Sequence, residues 1–377
     1  MGNAPEDSPR LGLSDRGRAL LAQLRVPCDA AALEKAGLGP ALQAALLDQG
    51  LLQLQDDTRQ PIEYQEAFGG WKSQRGMLVD HARTAGYQKA IHAVVKPGDR
   101  VVDVGTGSGV LAMFAAQAGA GEVHGLELTE MADWAERLAR ANGLGAVKIV
   151  KGDAGRFEMA GQADVIIGEY FGMTFFDEWR HYRAFVDVRD RLLRKGGTVV
   201  PRAGRFLLST VDSQKLYRER GYGFYEVPSY GLDFSVVRAA EVAAPRRYIL
   251  SADSNTLTAT ETIASFDFLT SDREAFFFTA ETEFAYDADG SFHGFLAHFD
   301  LDMAPGQTLG TGPRHRETCW HHSYLPLPKR LMRAGEMLRL RSRSFIDADS
   351  DAFCLGLTVA GPGETLEGAP EHVFRLE

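Results

Sequence analysis

The chain has 377 residues, 45% of them hydrophobic, and a formal net charge of −10. That length exceeds one ordinary core and implies two or three domains. The opening MGNAPEDSPR lacks the apolar centre of a signal peptide and no apolar run is long enough to span a bilayer, so a cytoplasmic protein without membrane contact is expected. The acidic balance disfavours a nucleic-acid surface. Cys28, Cys319 and Cys354 are too scattered for a disulfide framework or a metal site, so no metal is expected.

Residues 1–10 read as a polar, disordered tail. Residues 11–57 hold three short helical patterns and an alternating LLQLQ, a small winged-helix-like unit suited to capturing a partner or to packing. From Val101 to Val200, strand-like runs (VVDVG, EVHGLEL, VKIVKGD, ADVIIGE, GGTVV) alternate with helical stretches such as Gly109–Ala118 and Glu130–Ala141. This is the pattern of an α/β doubly wound, Rossmann-like domain, expected over 60–200. Beyond Pro201 the chain turns to alternating, aromatic-rich runs, among them one from Arg273 to Gly290, which imply a C-terminal β-barrel over 201–377.

Two loops carry chemistry. Gly105, Gly107 and Gly109 follow the first strand and would let a ligand approach the backbone and the next helix N-terminus. The acid before them, Asp103, makes a pyrophosphate an awkward guest, which sets NAD behind a donor with a cationic amine and no phosphate, S-adenosylmethionine. Glu127 ends the second strand, placed for a ribose diol, and Asp153 with Ala154 end the third, where an adenine edge would be read. The second loop, GEYFGMTFFDE, brackets aromatics with Glu169 and Glu178, nine residues apart. Carboxylates among aromatics need a cation, and these residues by themselves leave its identity open.

With these motifs the chain resembles the protein arginine methyltransferase family over roughly residues 60–377. The double-glutamate loop keeps the family's spacing. Tyr64–Tyr87 matches its N-terminal motif, most clearly at Met77, Asp80, Arg83 and Tyr87, and Thr318-Cys319-Trp320 stands for its Thr-His-Trp loop. The resemblance implies S-adenosylmethionine as donor, S-adenosylhomocysteine as product, and a guanidino substrate in a protein, peptide or small molecule. It also implies a homodimer formed by an arm near 213–230. Arg83 is to pair with the donor's carboxylate, Tyr64 and Phe68 to belong to a lid, and Glu169, Glu178, Asp80 and Trp320 to form the catalytic centre. Tyr170, Trp179, Arg180, Cys319 and His321 are to border the substrate pocket. Departures from the family accompany this. Cys319 replaces the His that pairs with the acid at Asp80, so that link is lost or passes to His321 or His322. Phe68 replaces a tyrosine. Arg180 replaces a methionine and either anchors an acidic substrate group or turns to solvent. A methyltransferase acting on another nitrogen or oxygen, and a silent binding protein, are the other readings.

Overall fold

A computed structural model of the protein describes Gly39, residues 69–248 and residues 257–376. The unit expected at 11–57 (Gly39 apart) and the lid residues Tyr64 and Phe68 lie outside these residues. Gln60–Glu377 form one compact unit and Met1–Arg59 another.

Helices α1 (Trp71–Val79) and α2 (His81–Val94) lead into β1 (Arg100–Val104). Then come α3 (Val110–Gln117), β2 (Glu122–Glu127), α4 (Met131–Ala141), β3 (Val147–Lys151), β4 (Ala163–Gly168), α5 (Trp179–Leu192) and β5 (Leu193–Val200). The five strands form a parallel sheet in the order β3-β2-β1-β4-β5. β1 reads RVVDV, and its last four residues are all buried, because helices cover both faces of such a sheet. The strand order reverses between β1 and β4, and the crevice at their C-terminal ends is where such sheets hold ligands. Both loops singled out from the sequence emerge there.

The antiparallel part comprises β6 (Ala203–Val211), β7 (Arg246–Tyr248), β8 (Leu257–Asp267), β9 (Thr279–Ala285), β10 (Gly290–Ala304), β11 (Gln307–Gly310), β12 (His322–Met332), β13 (Met337–Ile346), β14 (Phe353–Ala360) and β15 (Glu371–Arg375). One sheet runs β7-β12-β10-β6-β8 with β11 beside β10, and the other runs β15-β14-β13-β9. The run expected to be strand from Arg273 enters a strand only at Thr279. The reason is packing: Phe276 stacks on Tyr182, Phe277 meets Trp179, and Phe278 meets Phe176. Three successive inward rings are incompatible with a strand, which alternates its side chains. Among the described residues no helix is long and apolar enough to cross a membrane.

Between β6 and β7, α6 (Gln214–Arg220) and α7 (Arg238–Val242) flank a segment rich in exposed apolar side chains. Tyr230 is fully exposed, and Val227, Leu232 and Val236 are each more than half exposed. This surface reaches past the expected arm boundary of 230, to Val237.

The loop after β4 joins the two layers. Phe176, fully buried, packs on Phe206 of β6 and Phe276, and stacks on Phe353 of β14 at a centroid distance of 5.6 Å. Phe176→Ala is expected to lower the unfolding free energy by about 3–5 kcal/mol, read by urea denaturation.

Candidate active site

The glycine-rich turn after β1 is left-handed at Gly105 (φ 71°) and Gly107 (φ 54°), conformations that side chains beyond glycine rarely adopt. The turn is held from three sides. Glu127 at the end of β2 accepts from Gly107 N at 2.8 Å, and from Thr129 N and Oγ1 at 2.8 and 2.7 Å. Gln74 of α1 accepts from Ser108 N at 3.0 Å and covers Gly107, where a Cβ would come within 2.6 Å of its oxygen. His181 of α5 covers Gly105 in the same way. Asp153 accepts from Gly155 N at 2.8 Å and starts a short 3-10 turn at Ala154, beyond β3.

Asp103 is nearly fully buried. Its Oδ2 accepts from Thr106 Oγ1 at 2.5 Å and Ala112 N at 3.1 Å. Among the described residues no donor reaches Oδ1. Burial pushes this carboxyl up to about 7. The bonds from Thr106 and Ala112 oppose the rise, and the charges of Glu127 and Glu169 add to it. A buried carboxylate with an open oxygen calls for a cationic donor, and the carboxylates around the turn repel a phosphate. The residues therefore fit a ligand with an ammonium group and hydroxyls.

The double-glutamate loop is folded by its own short contacts. Asp177 accepts from Met173 N at 2.9 Å and Thr174 N at 3.2 Å, and it lies so close to Gly172 that a Cβ there would come within 2.3 Å of it. Trp320 donates from Nε1 to Phe171 O at 2.7 Å, which ties the loop to the barrel. Glu169 accepts from Phe171 N at 3.2 Å through Oε1, and its Oε2 is ion-paired with Arg83 Nη2. The Arg83 guanidinium also lies near Met77 Sδ (3.9 Å from Nη2) and the Trp320 ring (5.6 Å to the centroid). Burial alone would ease its proton off, but Glu169 outweighs that and holds it more firmly charged than usual. Glu178 stands immediately before α5, and its side chain does not cap the helix.

Asp80 resolves the question raised by Cys319. Its Oδ1 caps α2 by accepting from Arg83 N at 2.9 Å, and its Oδ2 accepts from the Cys319 backbone N–H at 2.7 Å. The link between this acid and the barrel loop thus runs through main chain, which any residue supplies. His321 instead approaches Glu317 at 3.8 Å, and His322 contacts Thr311 O at 2.8 Å. Burial pushes the Cys319 thiol up to about 12, so it stays protonated at neutral pH.

The residues expected to border the substrate pocket divide. Tyr170 and Trp179 are packed in the aromatic core, Tyr170 against Phe171 and Phe185 and Trp179 against Phe277 and Phe353. Arg180 neither stands open as an anchor nor turns to solvent: it pairs with Asp351 at 2.7 Å and lies over Trp179. Gln74 and His181 were not singled out from the sequence, although helical spacing carries a signal for both. Gln74 lies three residues before Met77, and His181 three after Glu178.

Two family models match the chain. The one described as arginine methyltransferase oligomerization subdomain covers residues 207–342, and the one described as ribosomal protein L11 methyltransferase (PrmA) covers 79–171. The chain is 29% identical over 282 residues to protein arginine N-methyltransferase 1.1 of Arabidopsis thaliana, covering 72% of this chain and 70% of that protein. It is 30% identical to the probable histone-arginine methyltransferase CARM1 of Oryza sativa subsp. indica, covering 68% of this chain and about half (51%) of that protein. Among solved structures it resembles the Trypanosoma brucei PRMT1 enzyme-prozyme heterotetrameric complex with AdoHcy, with a TM-score of 0.76 and 25% identity over 82% of this chain and all of that one. Arabidopsis thaliana protein arginine methyltransferase 10, at 24% identity and a TM-score of 0.71 over 83% of this chain and all of that one, shares the fold.

Asp103 generates a stability prediction with a definite sign. The unfolded carboxyl ionises near 3.8 and the folded one near 7. Between those values the folded state keeps a proton that the unfolded state has lost, so stability without ligand falls as pH rises and levels off above 7. Asp103→Asn removes that fall. Measured by urea denaturation, the variant should gain about 2–3 kcal/mol relative to wild type between pH 5 and pH 8.

Proposed function

The chain belongs to the protein arginine methyltransferase family, and from that premise we propose that it methylates a guanidinium nitrogen held by Glu169 and Glu178. The donor is S-adenosylmethionine and the product S-adenosylhomocysteine. The observation that carries the clamp is the ion pair of Glu169 with Arg83: this carboxylate already holds a guanidinium in a partly buried, aromatic setting. A substrate arginine offers the same group.

Bound at the glycine turn, the donor supplies a methyl group on a positively charged sulfur. Ionised Asp103 takes its ammonium group, Glu127 its ribose hydroxyls, and Arg83 its carboxylate. Arg83 then divides its charge between that carboxylate and Glu169, which leaves Glu169 room for the substrate. Two carboxylates gripping one guanidinium fix its plane and draw positive charge to their side, so one terminal nitrogen becomes richer in electrons. Alignment of that nitrogen with the methyl group lowers the barrier through proximity, by up to roughly 7–11 kcal/mol. The new N–C bond forms as the S–C bond breaks, and the guanidinium gives up one proton to a carboxylate or to water. Cys319, held as a thiol, does not take it.

The exposed surface around Tyr230 supports a homodimer built through this arm, since soluble monomers rarely display contiguous apolar patches without a partner.

Two experiments test this reading. With S-adenosylmethionine and a panel of free arginine, arginine peptides and histidine peptides, mass spectrometry should show methyl gain on guanidinium only. Glu178→Gln should cut it about 100-fold or more while S-adenosylhomocysteine still binds, and full turnover in that variant would sink the clamp. Light scattering should report a dimer for the wild type and a monomer for Tyr230→Ser combined with Val236→Asp; an unchanged mass would place the contact elsewhere.

A further inference from the structure

His181 makes a contact that the donor and clamp residues leave unexplained. Its imidazole edge lies against Gly105, where a Cβ would come within 2.3 Å of both Cε1 and Nε2. Nε2 is 3.3 Å from the Val104 carbonyl oxygen. A carbonyl only accepts, so Nε2 carries a hydrogen in this contact. The charges of Glu169 and Glu127 both act on the ring, and the Tyr170 ring stands 6.4 Å away. Arg83, the cation of this region, is turned to Glu169.

A methyl group must pass from a ligand on the glycine turn to a nitrogen held at Glu169. His181 touches the turn and lies within electrostatic reach of Glu169, which puts it beside that path. We propose that His181 is a positioning residue for the donor: its uncharged imidazole forms the wall beside the sulfur and lets the site accept a sulfonium as readily as a neutral thioether. The proposal rests on the methyl-transfer reading above. Burial lowers the proton affinity of the ring against the pull of Glu169 and Glu127, and the bond to Val104 holds it in place. A cation at this position would repel the donor and spare the product.

S-adenosylmethionine and S-adenosylhomocysteine share their ammonium, carboxylate, ribose and adenine. They differ only in the methyl group and charge at sulfur. Effects of Asp103, Arg83 and Glu127 on the shared groups therefore cancel in the ratio of the two dissociation constants, and a side chain beside the sulfur does not.

Calorimetry on the full chain at pH 7.5 measures that ratio for wild type, His181→Asn and His181→Lys. The Asn variant should keep the wild-type ratio within about twofold, and Lys should shift it at least about tenfold against S-adenosylmethionine. If Lys weakens both ligands equally, or leaves the ratio unchanged, His181 is not beside the sulfur and the proposal falls. Should the Lys variant not fold, His181→Arg, whose guanidinium keeps its charge when buried, carries the same test at pH 7.5. The ratio should again turn against S-adenosylmethionine, and an unchanged ratio overturns the proposal. Wild type binding neither ligand would remove the methyl-donor reading itself, and this inference with it.

Discussion

A carboxylate enclosed by aromatic rings must be given a cation, and in this protein a closed circuit of contacts meets that demand at Glu169. Arg83 pairs with Glu169, and the Arg83 backbone N–H is held by Asp80. The other oxygen of Asp80 takes the N–H of Cys319, the next residue, Trp320, donates to the carbonyl of Phe171, and Phe171 donates back to Glu169. Helix α2, the sheet end and the barrel loop are thereby locked around one charge. Losing any one member leaves a buried polar group without its partner, which costs more than the bond is worth in water.

The circuit sits where the topology offers a crevice, at the reversal of strand order between β1 and β4. Aromatic packing makes that crevice rigid: the loop after β4 sends Phe171, Phe175 and Phe176 among rings from both sheet systems. The glycine turn and the glutamate loop thus belong to one packed body. The carboxylates gathered there have a cost, visible in Asp103, whose burial drives it toward neutrality until a cation arrives.

Much of this was legible in the chain. Strand–helix alternation located the parallel sheet, because burial on both faces makes its strands continuous apolar runs. Asp103 and Glu127 stood out as acids at consecutive strand ends, a pattern visible in the chain alone. What spacing could not convey was direction. Tyr170, Trp179 and Arg180 are close to the glutamates in sequence, yet the first two turn into the aromatic core and the third reaches Asp351, more than 170 residues away. Cys319 looked like a broken contact because its side chain differs from the family's histidine, yet its backbone N–H reaches Asp80.

The sequence by itself determined the architecture, the glycine turn and the two glutamates, because periodicity, backbone freedom and charge among apolar residues are local properties that short stretches express. Only the tertiary structure decided which cation Glu169 meets, how Asp80 reaches the barrel, and that Gln74 and His181 close over the glycines. Each of those depends on side chains brought together from distant elements, and that proximity is set by the packing of the whole unit rather than by any neighbour in the chain.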